Sequence, residues 1–202
     1  RDLVRSRGLG DVYKRQAEYV EAVQSRQGFY ISCIEEIAWR KGFISKEQLK
    51  KLGERAKAQG KSIGLRVNPE CSTQDGHDIY DPCAPGSRLG TTREQWNQEM
   101  TEDLISLLDG IHFHTLCEQN ADDLVTTFQA FEKKFGKYLH RMKWLNMGGG
   151  HHITRENYQI ETLKKLIRYI RETYPVEVYL EPGEAIALNA GYLVTEVMDI
   201  VH

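Results

Sequence analysis

What is scarce in this chain narrows its identity before any motif is read. No apolar run approaches the ~20 residues a helix needs to cross a bilayer, and no charged-then-apolar segment opens the sequence. Charge of one sign is lacking too: 27 Lys and Arg against 29 Asp and Glu give a formal net charge of −2. That balance argues against a nucleic-acid-binding tail or a membrane-surface patch. The four cysteines, Cys33, Cys71, Cys83 and Cys117, make no CxxC pair, so a zinc knuckle or dithiol redox motif is not indicated. They are expected to be reduced thiols. No dinucleotide fingerprint follows a strand, because Ile153 stands where a third glycine would be needed. The expectation is a soluble cytoplasmic protein that binds neither nucleic acid nor membrane.

With 202 residues, 40% of them hydrophobic, the chain is long enough for one domain with a real core. Its ends read differently from its middle. Residues 1–16 are basic and weakly periodic, and the run Asp11 to Gln16 resembles a translated sequencing adapter, so this segment is expected to be non-native. Residues 192–201 read as a strand on which the sequence stops, and the chain is expected to be a piece of a longer gene product.

Between the ends, strand and helix patterns alternate. Helices are expected over 17–23, 34–39, 46–59, 93–108, 121–135 and 157–174. Strands are expected over 29–32, 63–67, 111–114, 144–147 and 176–180. Gly60 closes one helix and Pro175 stops another. This order is the signature of parallel βα units, whose ligands bind at the carboxyl ends of the strands. The distinctive clusters all follow strands: Asn68-Pro69, His114 to Glu118, Gly148 to His151, and Glu181 to Glu184. They should therefore gather on one face. With the dinucleotide fingerprint missing, a barrel is preferred to an open doubly wound sheet.

Three of these clusters carry chemistry. Gly148, Gly149 and Gly150 can bring backbone N–H groups around a phosphate, although a tight turn requiring positive φ explains them equally well. His112 and His114 alternate on a strand and should share a face. With His151, His152 or Glu181 they could ligate a metal, which keeps a metal-dependent barrel hydrolase open. Glu181, held before a proline, could keep a pyridinium nitrogen protonated.

Five ordered motifs resemble a known family: RVNP (Arg66 to Pro69), PGSRLG (Pro85 to Gly90), HFHTLCE (His112 to Glu118), NMGGGH (Asn146 to His151) and LEPGEA (Leu180 to Ala185). They are similar to the second half of the (β/α)8 TIM barrel in the pyridoxal-phosphate enzymes that include alanine racemase and the ornithine and diaminopimelate decarboxylases. The wording most resembles the carboxynorspermidine decarboxylases, over about Ser32 to Val201. The resemblance implies a partial α/β barrel over 17–190, with 191–202 opening a C-terminal β-domain that is otherwise missing.

It also implies roles. Pyridoxal 5'-phosphate would be the cofactor, and His114 would stack on its ring. Cys117 and the backbone of Gly148, Gly149 and Gly150 would lie near its phosphate. Glu181 would pair with the ring nitrogen, and Arg66 would form the floor of the site. The wider family reads EPGR where this chain has Glu184. A carboxylate there cannot hold phosphate but can attract a cationic amine, so Glu184 would contact a carboxylated polyamine. The parent is expected to be a homodimer. The lysine that holds the cofactor in this family is not among the lysines seen here, so this polypeptide alone is expected to be inactive. A diaminopimelate or other basic amino acid decarboxylase stays open beside this reading, as does a non-catalytic carrier of the cofactor.

Overall fold

The structure, a computed structural model, describes residues 45–74, 81–192 and 194. The adapter-like segment 1–16, the elements expected at 17–23, 29–32 and 34–39, Cys33, and most of the strand expected over 192–201 lie outside them. In chain order the elements are α1 (Lys46–Ala58), β1 (Gly64–Arg66), α2 (Arg93–Glu99), α3 (Glu102–Ile105) and β2 (Gly110–His112), then α4 (Ala121–Leu139), β3 (Trp144–Asn146), α5 (Ile160–Thr173), β4 (Glu177–Tyr179) and α6 (Gly183–Ala187). They divide between two units, Arg1–Ile63 with Thr101–Asp109, and Gly64–Met100 with Gly110–His202.

In the first unit, Ser45 and Gln48 form a reciprocal capping box that starts α1. The helix ends before Gly60, whose φ is +71°. Lys50 reaches Asp103 at 2.7 Å, and the Asp109 carboxylate accepts from the Ile63 amide at 3.0 Å. The single helix expected over 93–108 is two helices. Met100 is extended (φ −85°, ψ 100°), and the Thr101 hydroxyl then caps the Leu104 amide. Periodic apolar residues continue across this point, but the threonine cap restarts the chain on the other side of the unit boundary.

Among the described residues, the second unit is built on four parallel strands in sequence order, β1-β2-β3-β4. Each neighbour is reached through helical chain, which is the progression of successive βα units and has no reversal of strand order. Leu65, Ile111, Leu145 and Val178 share one register row. Their face carries the core, with Leu65, Val67, Ile111, Phe113, Leu145 and Met147 buried. Helix α4 supplies the covering layer with Leu124, Phe128, Phe131 and Phe135 at helical spacing. Phe113 stacks on Phe131 at 4.6 Å between ring centroids.

The alternate residues face the other way and fall in two rows. The first row is Gly64, Gly110, Trp144 and Glu177; the second is Arg66, His112, Asn146 and Tyr179. In the first row the Trp144 indole lies over Gly64 and Gly110, so close that a Cβ at either glycine would overlap the ring. In the second row the polar residues sit at the carboxyl tips of the strands. Strand β2 ends at His112, two residues earlier than the sequence suggests, which puts His114 in the loop beyond it.

Candidate active site at the strand tips

Local chain geometry brings the sequence motifs together. After β3 the backbone turns through Gly148 (φ +71°) and Gly150 (φ +79°), conformations that side chains strongly disfavour. Gly149 passes so near the next strand's loop that a Cβ would stand 2.6 Å from the Glu181 carbonyl oxygen and 3.2 Å from His114 Cε1. The glycines therefore allow three loops to meet: His114 after β2, Gly148 to His151 after β3, and Glu181 after β4.

The first cluster is His112, His114 and Glu181, whose ligand atoms all lie within 4.8 Å of one another. The Gly149 amide donates to His114 Nδ1 at 3.2 Å, which leaves Nε2 as the protonated nitrogen. Burial and the Arg66 guanidinium push His114 down to about 4. Burial, Arg66 and His114 push His112 down to about 3. Glu181 Oε2 stands 3.7 Å from His112 Nε2, too far for a hydrogen bond, and a neutral ring there forms no ion pair. That buried Nε2 has no hydrogen-bond partner. Buried Asn146 sets the carboxylate instead: its Nδ2 donates to Glu181 Oε1 at 2.8 Å, and its Oδ1 accepts from the Gly148 amide at 2.9 Å. The Glu181 amide in turn donates to the Gly148 carbonyl at 2.8 Å.

Two of the three glycine amides are thus engaged within the protein. Among the described residues, the Gly150 amide has no acceptor. His151 binds the Gly148 carbonyl through Nε2 at 2.9 Å and is pushed down mainly by burial; it stands outside the His112–His114–Glu181 group. Cys117 contributes backbone contacts, with its carbonyl accepting from Gln74 Nε2 at 3.2 Å.

The second cluster is Glu118, His152 and Glu184, again within 4.8 Å of one another. Glu184, in the first turn of α6, faces His152 Nε2 at 3.2 Å. Among the described residues, no lysine ammonium bonds to the carboxylates or imidazoles of either cluster. Reading the sequence gave Asn146 no role beyond its place in the NMGGGH motif. The strand register was the available signal for Asn146, since it shares a row with Arg66 and His112.

Comparison with known proteins accords with this geometry. No family model matches the chain. It is 44% identical over 147 residues to the carboxynorspermidine/carboxyspermidine decarboxylase of Campylobacter jejuni, covering 73% of this chain and 37% of that protein. It is 36% identical over 161 residues to the carboxyaminopropylagmatine decarboxylase of Synechocystis, covering 79% of this chain and 40% of that protein. The solved carboxynorspermidine decarboxylase of C. jejuni, complexed with norspermidine, superposes with a TM-score of 0.56 at 40% identity, over 71% of this chain and 34% of that one. A diaminopimelate decarboxylase structure shares the fold, with a TM-score of 0.51 at 22% identity over 69% of this chain and 35% of that one.

The chain thus spans well under half the length of these relatives. A stretch of 45 residues is separately 50% identical to the glucose-1-phosphate thymidylyltransferase of Neisseria meningitidis, covering 22% of this chain and 16% of that protein.

Parallel strands in sequence order, with functional groups at their tips, define the class: part of the α/β barrel of the fold-type III decarboxylases. Within that class, the chain is similar in sequence to the carboxynorspermidine/carboxyspermidine decarboxylases over the part of their length that it spans.

Proposed function

We propose that this chain is the site-bearing part of a pyridoxal-phosphate-dependent decarboxylase that removes the α-carboxylate of carboxynorspermidine or carboxyspermidine in polyamine biosynthesis. The unit Gly64–Met100 with Gly110–His202 carries that site. The observation that bears most weight is Glu181, fixed by Asn146 and set beside two neutral imidazoles from the end of β2.

The residues fit the cofactor on their donor chemistry. A clamped carboxylate suits a protonated pyridine nitrogen. His112 Nε2 is a buried polar atom awaiting a partner, and Gly149, having no side chain, lets the Glu181 backbone and the His114 ring close up around it. Glu181 would hold the ring nitrogen and His114 would lie against the ring. Arg66 would sit beneath them, and the Gly150 amide and the Cys117 loop would face the phosphate. When bound, the cofactor supplies the sink for the electrons released with carbon dioxide. The chain's own contribution is orientation: Glu181 keeps a proton on the ring nitrogen, and Glu184 receives a substrate ammonium. Beside EPGR-bearing enzymes, the carboxylate at Glu184 favours a polyamine over a substrate that carries a second carboxylate. The parent enzyme would be a cytoplasmic homodimer, and this chain alone would not turn over substrate.

The test has two parts. Titration of the purified chain with pyridoxal 5'-phosphate, followed by absorbance, should show binding that Glu181→Gln weakens. It should yield no borohydride-reducible band. The whole gene product should release carbon dioxide from carboxynorspermidine faster than from diaminopimelate; the reverse order would refute the substrate reading. Stoichiometric zinc or manganese in the purified protein would replace the whole assignment with the hydrolase.

A further inference from the structure

The second cluster has a feature that its proposed role does not by itself require. Glu184 is an exposed carboxylate, its side chain 54% accessible, yet its partner His152 is 6% accessible. Behind His152 stands Arg155, whose guanidinium donates to His152 Nδ1. A guanidinium has no acceptor and does not lose its proton, so Nδ1 must be the accepting nitrogen. The proton then sits on Nε2, which donates to Glu184 Oε2 at 3.2 Å. The order Arg155, His152, Glu184 is therefore a directed chain of hydrogen bonds.

The rest of the loop is pinned to the same helix. Thr154 Oγ1 donates to the Ala185 carbonyl at 2.6 Å, and within the loop itself the Arg155 amide donates to the His152 carbonyl at 2.9 Å. Glu118 brings a further carboxylate within 4.8 Å of the Glu184 and His152 ligand atoms. Three such groups resemble a metal site, but the Arg155 bond argues otherwise. With Nδ1 taken by a permanent donor, Nε2 carries hydrogen and offers no lone pair to a cation.

We propose that His152 and Arg155 are positioning residues for Glu184, fixing one carboxylate oxygen so that the other is presented to a substrate ammonium. The inference rests on the reading of Glu184 as the amine contact and adds how that contact is held. An unsupported glutamate must give up rotamer freedom on binding, whereas one already clamped gives up less, worth about tenfold in affinity at most.

The test uses imidazole ¹⁵N NMR and calorimetry with norspermidine as the probe, both on the purified chain. In the unaltered protein His152 should show the Nε2–H tautomer. Arg155→Met, at an exposed position that leaves the core intact, should abolish that fixed tautomer. His152→Leu should weaken norspermidine binding by about five- to tenfold. His152→Gln, whose amide can accept from Arg155 and donate to Glu184, should recover most of the loss. An Nδ1–H tautomer, or a glutamine variant as weak as the leucine one, overturns the proposal. If the unaltered chain does not bind norspermidine, the substrate reading fails while the ¹⁵N spectrum still decides whether the relay exists.

Discussion

The two faces of the four-stranded sheet are made by alternate residues of the same three-residue strands, yet they obey different chemistry. One face carries Leu65, Ile111 and Leu145 into a layer of phenylalanines, where area removed from water is what counts. The other puts glycine and tryptophan at the strand bases and Arg66, His112 and Asn146 at the tips, where hydrogen bonds and charge count. Stability and function are therefore separable by the parity of residue number. Odd positions in β1 and β2 hold the sheet to its helices, and even positions shape the site; β3 follows the same rule.

Substitutions should separate the two faces. The largest loss is expected on the apolar side: Phe131→Ala removes a fully buried ring stacked between Phe113 and Phe135 and should cost about 3–5 kcal/mol in denaturant unfolding. Equal stability would mean that α4 does not cover the sheet as described.

Gly110→Ala comes next, since its methyl would overlap the Trp144 ring; a loss of about 1–3 kcal/mol is expected. Pairing it with a smaller residue at 144 should recover part of it.

Asn146→Ala should cost about 1–3 kcal/mol, because it strips partners from the Gly148 amide and Glu181. It should also weaken pyridoxal phosphate binding, which Phe131→Ala should affect only through folding.

A different kind of effect is expected on pH dependence. His112 and His114 titrate near 3 and 4 when folded and near 6.5 when unfolded, so the unfolded chain binds more protons in that interval. Their contribution to stability is fully present above about 6.5 and is lost as pH falls toward 4 and then 3. Melting curves of a His112→Gln, His114→Gln double variant should show a shallower decline over that window. An unchanged slope would break the link between the site face and acid sensitivity.

Much of this was legible in the sequence because it is local. The closing Gly60 of α1, the phenylalanine stripe of α4 and the stop at Pro175 act within a few residues of where they are read. The convergence of His114, Gly149 and Glu181 also followed from a general rule about strand ends. What escaped has a common cause. The break at Met100 depends on one threonine hydroxyl, which periodicity does not register. Asn146 meets Glu181 across 35 residues of chain, and its role depends on strand register. Arg155 acts through His152, and nothing in the order of residues says which nitrogen of an imidazole will face which neighbour.

Trp144 has a consequence for how the sheet assembles. Parallel strands of three residues carry few ladder bonds, and a slip by one position would cost little in hydrogen bonding alone. The indole fits only while Gly64 and Gly110 are both alongside it. Displace either strand by one residue and a neighbour such as Leu65 or Ile111 would come level with the ring. A single aromatic plate thus acts as an alignment gauge for three strands, rejecting misthreaded arrangements before the tips that carry the imidazoles and the carboxylate can be mismatched.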